Sequence, residues 1–234
     1  AFRMVAVWKA CGPQQRLPAL MTTGQKISSS LTASHIGGRA VLRDRRFWIG
    51  VIWLTMVPGF SVTGLLFHQI YLSEVAGVTL TTWAANYVFY AAFAVIGTLV
   101  AGQLVDRYSA RRVAPHTLFP ITLACLALWL GDGPLGVLIF FIFFGLASGM
   151  PHAAISAALA ELYGTRYLGE VKAVFMPLGV FSSALSPMLM GLLIDLGFGM
   201  ATLMGLNIAL AVLSQIAEMR MLKAYPAGRL ACAA

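Results

Sequence analysis

Six apolar stretches run through this chain, at 47–70, 82–104, 114–131, 134–158, 173–194 and 199–219, and no Lys or Arg lies inside any of them. The sixteen basic residues fall on one side of the line these stretches draw. Eight precede the first stretch, three lie between the second and third, two between the fourth and fifth, and three follow the last. The other three connections hold none, and their charges are the acids Glu74, Asp132 and Asp195. Short loops kept in the cytoplasm retain Lys and Arg, whereas translocated ones lack them. The partition predicts a multi-pass protein of the cell (inner or plasma) membrane. Both termini of the chain and the even-numbered turns are expected in the cytoplasm.

Composition agrees with a hydrocarbon solvent. Hydrophobic residues make up 59% and charged residues 10%, against about 25% charged in soluble domains. A helix crossing the bilayer core needs roughly 20 residues. Five stretches meet that, while the third, Pro115–Gly131, must stand nearly upright. Backbone groups cannot be left unsatisfied in lipid, which restricts spans to helices or a closed barrel. Runs such as 137–144 do not alternate as barrel strands do. The expected fold class is all-α, a polytopic bundle of six transmembrane helices.

The chain then divides into a polar, basic cytoplasmic loop or tail over 1–46, a transmembrane domain over 47–222, and a cytoplasmic tail over 223–234. The opening on Ala1 reads as the back part of something longer. The net charge of +8 is spread over four loops rather than gathered on one face, which argues against nucleic acid as a partner. Cys11, Cys125 and Cys232 form no CxxC pair and no metal-ligand spacing. No metal and no cofactor is expected.

The sharpest local signal follows the second stretch: Gly102, Asp106, Arg107, Ser109, Arg111 and Arg112. Gly102 permits a neighbouring helix to come close. Asp106 can cap a helix end or pair with Arg111 or Arg112, a latch that breaks when helices rock. The alternative is an ordinary positively charged loop. These residues resemble the loop motif of the major facilitator superfamily, G-x-x-x-D-R-x-G-x-R-[RK], with Ser109 where Gly is usual. The resemblance covers roughly 43–222. It implies the carboxyl-terminal half of a twelve-span transporter, spans seven to twelve, with a missing amino-terminal six-helix half as partner. Glu161, Gly164, Arg166, Gly169 and Lys172, then Gly191 and Asp195, are similar to the ten–eleven loop and eleventh span of bacterial monocarboxylate or oxalate–formate-like members, as is Phe67-His68-Gln69. Those members hold a carboxylate with cations inside the eighth and eleventh spans. Here 82–104 and 173–194 contain none, so no charged clamp for an anion is expected in this half.

Polar residues within the stretches are few. His152 shares a face with Ser148 and Ser156, and an ionisable residue at that depth is either a cavity or proton-coupling group or a satisfied packing histidine. His68 falls at the outer interface, as a solvated or capping group or a proton carrier. Asn86 and Tyr90 share a face with Trp83, either as interface belt or, for Tyr90, as cavity wall. Ser182, Ser183 and Ser186 lie between Pro177 and Pro187 and either line a pathway or bond back to their own helix. Gly145 and Gly149 form a close-contact face. All eight acids fall in loops or at span ends, so a proton-carrying acid is expected in the missing half. An intramembrane enzyme would need a nucleophile–base pair or metal cluster, and neither GxSxG, HExxH nor a carboxylate dyad is present. The expected function is secondary active transport of a small solute by alternating access, coupled to protons, with a monocarboxylate among the candidate solutes. The alternative is a truncated or non-transporting subunit.

Overall fold

The chain is described by a computed structural model covering Trp48 and residues 52–131, 133–163 and 168–224. The tail 1–46, Asp132, Arg166 and the segment after Ala224 lie outside the described residues. Among the described residues only helices form, in the order α1 (Trp53–Phe67), α2 (Gln69–Val75), α3 (Leu80–Ala85), α4 (Tyr87–Tyr108), α5 (Ala110–Val113), α6 (Phe119–Leu130), α7 (Gly133–Tyr163), α8 (Leu168–Asp195) and α9 (Met200–Ala224). A 3₁₀ turn over Ala114–Leu118 joins α5 to α6.

Among the described residues five segments are long and apolar enough to cross a membrane: Leu80–Tyr108, Ala110–Leu130, Gly133–Glu161, Leu168–Asp195 and Met200–Arg220. The first apolar stretch gives the shorter α1, of 15 residues, which a single non-helical residue, His68, separates from α2. The third stretch, expected to be short, gains length because α5 and the 3₁₀ turn stack beneath α6. Two turns at the end opposite Arg107, Arg111 and Arg112 are built alike. Gly77 at φ 69° and Gly197 at φ 84° close them, and the next amides, Val78 and Phe198, reach back to the carbonyls of Ser73 and Leu193 at 3.1 and 3.0 Å. The left-handed glycine is what allows those carbonyls to be satisfied.

Small residues set the two closest helix pairings. α4 lies along α7, where a Cβ on Gly145 would stand 2.5 Å from the Tyr90 carbonyl oxygen and one on Gly149 would strike the Ala94 carbonyl. Thr98 Oγ1 donates to the Gly149 carbonyl at 3.2 Å. α1 lies along α8, where a Cβ on Gly59 would come within 2.9 Å of the Gly179 carbonyl oxygen. Ser182 and Ser186 donate across to the Met56 and Phe60 carbonyls of α1 at 2.7 and 2.6 Å. Hydroxyls that bond across helices hold them together where lipid offers no hydrophobic drive to do so.

Two apolar clusters complete the packing. The larger includes Trp83, Phe140, Phe141 and Phe144, with Trp83 only 1% exposed. The Trp83 ring lies 5.2 Å from that of Phe141, edge to face. Trp83 is therefore a core residue rather than part of an aromatic belt. The smaller cluster sits at the end bearing the arginines (the basic end) and joins Leu54, Val113, Leu159, Val171 and Phe175.

Candidate functional site

At the basic end the chain turns sharply between α4 and α5. Ser109 makes the turn at φ 84° and ψ 145°, a region that residues with a Cβ rarely enter. The turn aims the first amides of α5 at the end of α7. Ala110 N–H donates to Glu161 Oε1 at 2.9 Å and Arg111 N–H to Oε2 at 3.2 Å. The Glu161 carboxylate thus supplies the acceptors that the first turn of a helix lacks, with its charge favourably placed. Asp106 is exposed, and its carboxylate forms no hydrogen bond or ion pair among the described residues. Arg107 lies 5.5 Å over the ring of Tyr108, and Arg112 is exposed. The close approach expected at Gly102 is not made by the described helices. A Cβ there would meet no atom within 4 Å, because α7 contacts α4 through the face bearing Gly97.

A cavity of about 340 Å³ opens between α1, α7 and α8. Thr55, Pro58, Gly59 and Thr63 line it from α1, Ser148, Pro151, His152 and Ser156 from α7, and Met176, Gly179 and Ser183 from α8. Pro58 and Pro151 each lack an amide hydrogen, so polar backbone and hydroxyl groups gather at this level. Tyr90 Oη and Ser148 Oγ share a hydrogen bond of 2.9 Å, which joins Tyr90 to the cavity wall through Ser148. His152 is exposed at the cavity and makes no hydrogen bond among the described residues.

The remaining candidates lie elsewhere. Ser182 is buried and committed to the Met56 carbonyl, and its neighbour Ser183, which donates to Val180 O at 2.8 Å, is the serine on the wall. Asn86 caps α3 from within, its amide donating to Thr82 O at 2.8 Å. His68 Nδ1 lies 3.0 Å from the Gly64 carbonyl oxygen and closes the end of α1. Two residues were named in the sequence only as part of a loop motif or among the acids at span ends. Lys172 falls one position before the fifth apolar stretch, yet α8 already begins at Leu168. Its ammonium donates to Ser156 Oγ at 3.1 Å. Glu218, read as lying at a span end, is 2% exposed and accepts from Ser214 at 2.7 Å.

The family description of the Major Facilitator Superfamily matches residues 12–187 and, in a second overlapping alignment, 57–229. Either alignment covers well over half of the chain. The chain belongs to the Major Facilitator Superfamily. Members of this superfamily are membrane transporters of small solutes, and five long apolar helices accord with a multi-pass transporter. No curated relative matches the chain at a significant level. The cavity is walled by three helices that each carry a proline inside them: Pro58 in α1, Pro151 in α7, and Pro177 and Pro187 in α8.

Proposed function

We propose that the chain is one six-helix half of a secondary active transporter that moves a small solute by alternating access, coupled to protons. In this reading α1 and α2 together form the first of six spans, arranged as three plus three. The basic end faces the cytoplasm of the cell membrane, since all Lys and Arg of the described helices' ends and turns gather there. The cavity between α1, α7 and α8 is the solute's path, and it is the observation that carries the proposal.

The partner is a second six-helix half. Only 11% of the most apolar window of Leu80–Tyr108 and 17% of that of Leu168–Asp195 are buried, against 56% for Ala110–Leu130. Each of these two spans packs closely on one side only and so offers a long face to another bundle, and the open space at Gly102 lies on one of them. The Asp106–Arg112 turn acts as the latch that holds the cytoplasmic side shut. Its tie to the body of the bundle runs through Glu161. His152, on the cavity wall, is the candidate proton-coupling group of this half. The resemblance of the ten–eleven loop suggests a monocarboxylate as the solute.

The test is uptake by cells expressing the whole reading frame, over a panel of small carboxylates, amino acids and sugars. Solute accumulation that Asp106→Asn impairs, with membrane insertion intact, is expected. His152→Ala should flatten the pH dependence of that uptake. No accumulation of any panel member above empty-vector cells would favour a non-transporting subunit.

A further inference from the structure

We infer that Glu218 is a proton-binding site of this half, separate from the cavity. Asn207, Ala211, Ser214 and Glu218 run down one stripe of α9, and none is more than 2% exposed. The stripe faces the bundle, where α9 packs on α6, the 3₁₀ turn and α1. Glu218 ends it on the basic side, two residues before the exposed Arg220. A glutamate is almost never fully buried unless it is paired. Here Oε1 accepts from the Ser214 hydroxyl at 2.7 Å, and Oε2 is shut off from solvent with no hydrogen-bond partner.

No cation reaches Oε2. α1 carries no titratable side chain. His116 of the 3₁₀ turn is exposed, and Cys125 sits six residues above the Phe119 end of α6, at another level of the bundle. Arg111 and Arg112 precede the turn on α5, and Arg112 is exposed. Along α9, Arg220 and Lys223 follow at two and five positions, spacings that leave the Glu218 face. The donor set does not suit a metal ion either. Gln215 Nε2, three positions before Glu218 and buried without a partner, is a hydrogen-bond donor rather than a ligand.

An unpaired carboxylate in such surroundings is strongly disfavoured, because moving a bare ion out of water costs far more than moving a neutral acid. A proton on Oε2 removes the charge and leaves Oε1 as the carbonyl oxygen that Ser214 already serves. When the proton leaves, the Gln215 amide is a second donor within one turn of α9. The site thus has two forms, a neutral acid with one hydrogen bond and an anion with two. The inference does not rest on the cavity as the solute's path.

The experiment records infrared spectra of the purified full-length protein and of its Glu218→Gln variant, which keeps the size of the side chain. At neutral pH the difference between the two should contain a carboxylic-acid carbonyl band, above the amide bands in wavenumber, that moves down in heavy water. Strong alkali should replace that band with the paired carboxylate stretches. Ser214→Ala removes the hydrogen bond to Oε1 and should move the acid band to higher wavenumber, which a merely structural serine would not do. If Glu218→Gln fails to fold, the difference between the parent and Ser214→Ala decides. The inference is overturned if the neutral-pH difference shows carboxylate stretches and no acid band, or if Ser214→Ala leaves the band in place. A parent protein that shows the band but accumulates no solute in proteoliposomes would sink the transport reading and leave this site standing. Uptake by a parent protein without the band would do the reverse.

Discussion

Ser109 occupies the position where the loop motif usually carries glycine, and its φ of 84° with ψ of 145° gives that preference a physical reason. A residue with a Cβ held in such a region costs of the order of 1–3 kcal/mol. Ser109→Gly is therefore expected to raise the melting temperature in detergent, with a gain of about 1 kcal/mol. A fall would show that the turn is not strained. The neighbouring cap gives a second prediction. Glu161→Ala removes both acceptors of the α5 amides and should destabilise by about 1–2 kcal/mol, with Glu161→Gln in between; equal stability of all three proteins in thermal unfolding would contradict it. The departure at Ser109 is visible in the sequence. That Glu161 would be the cap is not, since it comes from 51 residues away and only the packing of α7 against α5 brings it there.

Helix pairing separates glycines that look alike. Gly149 has the Ala94 backbone against it, whereas Gly102 has nothing within 4 Å. Gly149→Leu should therefore separate α4 from α7 and cost more than about 3 kcal/mol, well beyond ordinary overpacking. Gly102→Ala should leave the chain's own stability unchanged or slightly raised. The comparison is made by the fraction of folded, monodisperse protein recovered and its melting temperature; equal effects of the two substitutions would refute the packing. The existence of the helices was legible because each carries a long run with no charge inside it. Their edges were not. The apolar run that begins at 173 hides a helix that starts at Leu168, and that placed Lys172 in the ten–eleven loop rather than on the helix. Similarly, Trp83 has a ring suited equally to an interface or a core, and only Phe140 and Phe141 on the partner helix decide for the core.

At the scale of the whole molecule, the alternation of basic and non-basic connections is a global property that a single sequence records fully. The cavity is not such a property, because its walls come from residues more than a hundred positions apart, Thr55 on α1 and Ser183 on α8. The central claim is that this cavity is reached from each side of the membrane in turn. Cys125 is buried, so the full-length protein with every cysteine other than Cys125 replaced by Ser and a single new thiol at Ser183→Cys reports on the cavity alone. Labelling with a membrane-impermeant thiol reagent is measured in right-side-out and inside-out vesicles. Modification from both sides is predicted; modification from one side only, or from neither, would contradict alternating access through this site.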